Sequence, residues 1–293
     1  MKHILLDLPM ALIRLLMPRI QGLLTETKIV TASRTSHRSR FQEDAPLPLQ
    51  GENIPELAVT HQVSALKNRD RIASSGSYEV LKGVLPEMRE DLKEKGLDDP
   101  SGCFTSLCFG PLLPIHNNSI KSPPSSWEDL LDERWQGKIV AADSNVQFEL
   151  LKANLRRIIG ERTGPFLESL VYQGNPVNVN YEVDAGNMAI GITVLPFARS
   201  SRKGNISLCW PREGAFCIPH VLILKKGAHK DAIEVCKYLL SDEVQGLISG
   251  TGLIPVSPNV ALPKEVMENE LNLYWMGWDQ LVKALNENLE SGL

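Results

Sequence analysis

Short apolar runs of strand type alternate with amphipathic stretches of helical length along most of this chain, and that alternation limits the fold more than any other feature. It is the signature of α/β architecture, in which largely parallel sheets are covered by helices. The opening reads as a strand over His3 to Leu8, then an amphipathic helix from about Met10. Met10, Ile13, Met17 and Ile20 recur at the spacing a buried helical face requires, and Pro18 is expected to kink or restart that helix. Strands are predicted at Lys28 to Ala32, Leu57 to Thr60, Phe104 to Leu113, Lys138 to Ala142, Val177 to Tyr181, Met188 to Val194 and His220 to Leu224. Helices are predicted at Tyr78 to Lys95, closed by Gly96, then at Trp127 to Leu131, Val146 to Ile159 and Glu161 to Tyr172. Asp231 to Leu240 and Asp242 to Ser249 follow, with Ser241 as the cap between them, and the stretch from Pro263 to Leu289 is helical in composition. Ser33 to Asn53, with prolines at 46 and 48, reads as an irregular loop.

Composition narrows the function classes. Of 293 residues 43% are hydrophobic and 23% charged, the balance of a globular protein with a sizeable core. A net charge of -4 lacks the basic excess of a general nucleic-acid binder, so no nucleic-acid partner is expected. The run Arg34, His37, Arg38 and Arg40 reads as a solvated loop. No uninterrupted apolar stretch reaches membrane-spanning length. Asp7, Pro9 and Arg14 interrupt the apolar start, so it reads as fold rather than as a secretory signal. The five cysteines, Cys103, Cys108, Cys209, Cys217 and Cys236, show no metal-ligand spacing, and each reads as a small buried apolar residue.

Catalytic signatures do not emerge. The segment Gly250-Thr251-Gly252 lacks the third glycine of a dinucleotide turn, and Gly137-Lys138 lacks the upstream glycine of a phosphate loop, since Asp132 stands there. Neither H-E-x-x-H nor G-x-S-x-G occurs, and the six histidines are scattered. No catalytic residue, metal ligand or cofactor is therefore expected.

Several segments, in order, carry a resemblance. Pro123-Pro124-Ser125-Ser126-Trp127-Glu128-Asp129-Leu130-Leu131 and then Trp135-Gln136-Gly137-Lys138-Ile139 resemble the iron, thiamine and polyamine branch of periplasmic solute-binding proteins. Asp184-Ala185-Gly186-Asn187-Met188-Ala189-Ile190-Gly191 resembles the "G-E-x-A-I-G" strand of that family, with Asn187 where an acid is usual. Trp210-Pro211-Arg212-Glu213-Gly214, Lys226-Gly227-Ala228, Leu239 to Gln245 and Gly252-Leu253-Ile254-Pro255-Val256 resemble its later motifs. Together these cover about residues 100 to 260; the first hundred residues fit only in outline. Physically most of these residues read as structural, with Trp127 and Trp135 anchoring a helix and a turn.

The resemblance implies a type II periplasmic-binding-protein architecture: two Rossmann-like lobes joined by crossing hinge strands. Lobe 1 would comprise residues 1–112 and 219–293, and lobe 2 residues 113–218. It implies a monomer that captures a small organic solute, oxyanion or chelated metal between the lobes and delivers it to the membrane permease of an ATP-driven importer. The compartment implied is periplasmic or extracytoplasmic, while the missing secretory pattern leaves the cytoplasm open. A cytoplasmic ligand-sensing or sequestering protein is the alternative, and an enzyme on the same scaffold the third reading. Clefts of such folds are lined by strand ends and helix N-termini, which favour anionic groups. The ligand-binding candidates are therefore Pro9 and Met10 after the first strand, and Thr60 and His61 after the third. Ser144 and Asn145 at a helix start, and Tyr181 at a predicted strand end, complete them. Ferric-ion binders of the family place adjacent tyrosines after the "A-I-G" strand, where this chain reads Thr193-Val194-Leu195-Pro196-Phe197, so the tyrosine mode of iron binding is not expected.

Overall fold

The structure is a computed structural model that describes residues 2–31, 40, 46–51, 53–81 and 85–290. Most of the loop read at Ser33 to Asn53, with Arg34, His37 and Arg38, lies outside the described residues. Arg40 is described and is not free in solvent: its backbone N–H donates to Asp143 at 3.0 Å, and its guanidinium lies 3.6 Å from the centre of the Tyr172 ring.

Among the described residues eleven strands join into one sheet. They are β1 (His3–Leu6), β2 (Lys28–Thr31), β3 (Leu57–Thr60), β4 (Thr105–Asn117), β5 (Ile139–Ala142), β6 (Val171–Gln173), β7 (Ile190–Val194), β8 (Ile206–Leu208), β9 (Ala215–Leu224), β10 (Ile254–Pro255) and β11 (Leu273–Tyr274). The main path runs β2-β1-β3-β9-β4-β7-β5-β6, with β8 and β10 also on β4 and β11 on β9. β1, β2 and β3 pair in parallel at one end, as do β5, β6 and β7 at the other. β4 and β9 run antiparallel between these groups. β4 has 13 residues: from Thr105 to Leu112 it pairs with β9, and from Leu112 to His116 with β7.

Period-two alternation sorts the core into two apolar layers. Ile4, Leu6, Leu57, Val59, Val140 and Ala142 belong to one cluster, whereas Ala58, Ile139 and Ala141 belong to the other. On β9 the parity changes. Cys217 joins the first cluster and Ile218 the second, but beyond His220 it is Leu222 that joins the first and Val221 the second. The register shifts at this place, where Ser106 pairs with Val221 and Cys108 with His220, leaving Leu107 extra. A bulge of this kind re-aims the side chains beside it, and the one beside it here is His220.

Five expectations need correction. The predicted strand Val177 to Tyr181 is part of a helix, Pro176–Asp184. Asn175 Oδ1 accepts from Val177 N at 2.8 Å, Pro176 opens the first turn, and Val179 and Val183 share the buried face at helical spacing. The alternation that resembled a strand satisfies both periods; the cap starts a helix, and packing of Val179 and Val183 against Gly191 selects it. The long helix predicted at Tyr78 to Lys95 shrinks to Glu90–Glu94. Tyr78 instead bridges to Lys225, and Pro86 has no N–H to continue a helix. The predicted helix Glu161 to Tyr172 divides into a 3₁₀ turn, a helix at Thr163–Ser169 and strand β6, which pairs with β5. The C-terminal helical stretch is interrupted by β11 between helices Lys264–Glu268 and Trp278–Glu290. The first helix, Met10–Leu23, runs through Pro18 without restarting, and it buries Leu12, Ile13, Leu16 and Ile20 rather than Met10.

The motif residues read as structural take structural places. Trp127 is fully buried, stacks on Phe216 with ring centroids 3.9 Å apart, and its indole N–H donates to the Gly214 carbonyl at 2.9 Å. Gly214 has φ 106°, and a Cβ there would lie 2.5 Å from the backbone nitrogen of Tyr274 on β11. Gly191 on β7 lets the helix Pro176–Asp184 approach, since a Cβ would meet Val179 at 2.8 Å and Val183 at 2.9 Å. All five cysteines are free and buried. Replacing Gly214 with alanine adds both a forbidden backbone region and a backbone clash. We expect Gly214→Ala to lower the urea-unfolding free energy by about 2 kcal/mol or more, and an unchanged midpoint would refute this account of the turn.

Candidate functional site

The chain forms a cleft of about 520 Å³ where the parallel ends of the sheet meet the crossing strands. One wall is the end of β1 and the start of the helix after it, Asp7 to Ala11, joined by His61 just beyond β3. The facing wall is built from two helix starts, Ser144, Val146 and Gln147 on one and Asn175 to Val177 on the other, and from Val194, Pro196 and Phe197 at the end of β7. Gly110 on β4 with Ile218 and His220 on β9 lines the cleft between them, and Thr251 and Leu253 close one side. The lining is chiefly apolar with a few convergent polar groups, the usual character of a small-molecule site.

The polar groups are grouped by sign. Asp7 is fully buried, and neither carboxylate oxygen has a hydrogen-bond partner among the described residues. His61 Nδ1 stands 3.3 Å from one of those oxygens, and the His61 and His220 rings lie 4.5 Å apart. His220 Nδ1 is buried and likewise unpartnered. Burial, reinforced by the neighbouring His61, holds the His220 imidazole well below its ordinary range, so it stays neutral. Across the cleft, Ser144 caps the helix Asn145–Ile159 by position only, since its side chain makes no capping bond. The first backbone N–H groups of that helix have no acceptor within it. The Gln147 side chain, on the first turn, is buried, lines the cleft and leaves its Oε1 unpartnered. Among the described residues no three His, Cys, Asp or Glu side chains are spaced to hold a metal ion.

Four of the seven residues singled out from the sequence, Pro9, Met10, His61 and Ser144, line this cleft. Thr60, Asn145 and Tyr181 are not among its lining residues. Thr60 is buried at the end of β3, where its hydroxyl accepts from Gln62 N at 3.1 Å. Asn145 opens its helix with the side chain buried. Tyr181 stands 61% exposed on the outer face of a helix, not at a strand end. Asp7, Gln147 and His220 were not singled out, although two carry a signal. Asp7 is an acid placed directly after an apolar strand, and His220 interrupts the run Ala215 to Leu224. At the end of β7 the wall presents Val194, Pro196 and Phe197 and no tyrosine.

Residues 52–284 match the family model described as bacterial extracellular solute-binding protein. The chain belongs to that family. No curated protein matches its sequence. Solved structures of the same fold include iron-bound HitA from Pseudomonas aeruginosa, 16% identical, with a TM-score of 0.72 over 100% of this chain and 99% of that one. The apo ferric-ion-binding protein A of Pasteurella haemolytica is 14% identical, with a TM-score of 0.72 over 99% of this chain and 95% of that one. A Trichodesmium protein in complex with iron and citrate is 17% identical, with a TM-score of 0.64 over 99% and 97% of the two chains. This solute-binding protein therefore has the type II periplasmic-binding-protein fold, with two lobes joined by crossing strands. Among the described residues no helix is long and apolar enough to cross a membrane.

The neutral, buried His220 has a consequence for stability. Its pKa is lower in the folded chain than the ordinary value of 6.5, so the unfolded chain binds the extra proton first. Its contribution to stability is thus complete above about pH 6.5 and falls as the pH drops below that value toward the folded pKa. Urea titrations from pH 7.5 to 5 should show this loss, and His220→Gln should flatten it. An unaltered pH slope in the variant would mean that another group is responsible.

Proposed function

We propose that this chain is the solute-binding component of an ATP-driven importer, and that it captures a small ligand in the cleft between its lobes. The observation that carries this reading is the cleft itself: strand ends on one side, helix starts on the other, and crossing strands between them. Lobe 1 comprises residues 1–112 and 219–293, and lobe 2 residues 113–218. Two features support those bounds: β4 exchanges β9 for β7 at Leu112, and the alternation of β9 changes parity beyond Ile218. Closure then needs little more than a change in the twist of two strands, since each parallel group moves as a packed unit.

The ligand is held by Pro9, Met10, His61 and Ser144, with Asp7, Gln147 and His220 as further contacts. Thr60, Asn145 and Tyr181 sit behind or beside that wall and serve capping, packing or the lobe surface. The protein binds without turning its ligand over, works as a monomer outside the cytoplasmic membrane, and presents its closed form to a permease; nucleic acid is not a partner. The iron-bound relatives share the fold, but the apolar wall after β7 argues against naked ferric ion and favours an organic or chelated ligand.

A thermal-shift panel of amino acids, amines, sugars, oxyanions and metal chelates tests the reading. Binding to the native state alone adds RT ln(1 + [L]/Kd), about 4 kcal/mol at a thousandfold excess over Kd. One ligand class should raise the melting temperature clearly, reduce the radius of gyration in X-ray scattering as the lobes close, and be recovered chemically intact. Silence across the whole panel, or consumption of the compound, would sink it.

A further inference from the structure

The cleft separates hydrogen-bond acceptors from donors. On the β1 and β3 side the unpartnered side-chain atoms that line the cleft are the two oxygens of Asp7 and one ring nitrogen each of His61 and His220, with the His61 nitrogen 3.3 Å from one Asp7 oxygen. A carboxylate without hydrogen bonds in a buried place carries a desolvation cost that its surroundings do not offset. Folding accepts such a cost where a ligand supplies the missing donors. An ammonium carries three N–H donors and a positive charge, which suits the Asp7 carboxylate in sign and in hydrogen-bonding character. His220, kept neutral by burial, accepts from such a donor without repelling it.

The opposite wall has the reverse character. The helix Asn145–Ile159 is 15 residues long, and no side chain caps its first turn. Its free N–H groups and the positive end of its dipole favour an anion. A second observation marks this end as built for contact. The Gln147 side chain is only 8% exposed, lines the cleft and leaves its Oε1 without a partner. A carboxamide so placed can turn its NH₂ toward an anionic ligand group. The companion helix Pro176–Asp184 differs, because Asn175 already caps it. Between the two ends the lining is apolar, from Leu8, Val146, Phe197, Ile218 and Leu253.

We propose that the ligand is a small zwitterion with a short apolar spacer, its ammonium set against Asp7, His61 and His220 and its anionic group on the start of the helix Asn145–Ile159. This rests on the cleft being the ligand site, and it names the class of ligand. A cleft of about 520 Å³ suits such a molecule better than a bare ion. The anionic group is a carboxylate or a phosphate, which the helix start binds by the same chemistry.

Isothermal titration of the purified chain decides the matter. The probes are 4-aminobutanoate and O-phosphoethanolamine, against butylamine, butanoate, ethyl phosphate and ferric citrate. At least one zwitterion should bind, and the counterparts that lack either charge should bind at least a hundredfold more weakly. The carboxylate and phosphate arms show which anion the site prefers. Asp7→Asn should weaken the zwitterion at least thirtyfold, yet leave the ligand-free melting temperature equal or higher, because it removes a buried carboxylate that no hydrogen bond satisfies. Gln147→Ala should weaken the zwitterion without changing the weak binding of butylamine. The proposal is overturned if butylamine, ethyl phosphate or ferric citrate binds as tightly as the zwitterions, if neither zwitterion binds, or if Asp7→Asn leaves affinity intact. A thermal shift with another class from the broader panel would then leave the solute-binding role standing, whereas no shift at all would remove both.

Discussion

The antiparallel pairing of β4 with β9 is the constraint on which the rest of the molecule depends. Both strands are buried along nearly their whole length, so every backbone donor and acceptor on them must find a partner in the sheet. β4 meets that demand by taking β9 along its first half and β7 along its second. The two parallel groups are thereby fixed to one frame while sharing few strands. A rigid attachment with a narrow joint is what a closing cleft needs. The supporting contacts sit at the same place. Trp127 stacks on Phe216 at the start of β9, and Gly214 lets β11 come close behind it.

The cleft inherits its chemistry from that frame. Strands that run parallel end on the same side, and the helices that follow them begin there, so strand-end side chains and free helix N–H groups gather without any local sequence signal. The bulge opposite β9 adds an imidazole to this gathering by re-aiming His220. The result is a pocket with a chiefly apolar lining in which several polar atoms, on Asp7, His61, His220 and Gln147, have no hydrogen-bond partner. Unpartnered groups of this kind lower stability in the empty chain, and in a binding protein they are the groups through which a ligand is selected.

The motif residues that read as structural in the sequence are packing devices in the fold. Gly191 owes its place to the close approach of the helix Pro176–Asp184, and Glu213-Gly214 to the meeting of β9 and β11. Trp135 is buried under the cation of Arg134, with the guanidinium carbon 4.4 Å from its ring. Such residues hold the lobes in shape and leave the ligand to others.

Local patterning by itself determined most of the elements. The alternation of apolar runs located β1, β3, β5, β7 and the helices after Met10, Asn145 and Asp242, because burial of one face imposes its period on the sequence. Ser241 could be read as a cap because its hydroxyl serves a backbone N–H three residues away, at Val244. Strand ends in the first lobe pointed to Pro9, Met10 and His61 for the same local reason. What only the tertiary structure decided depends on distant partners. Val177 to Tyr181 fits both periods, and packing of Val179 and Val183 against Gly191 selects the helix and turns Tyr181 outward. Asp7, His61 and His220 are separated by more than fifty and more than one hundred and fifty residues, and the pairing of β1, β3 and β9 alone brings them together. Periodicity reports which face of an element is buried; it carries no information on which strands become neighbours, and the site is made by neighbours.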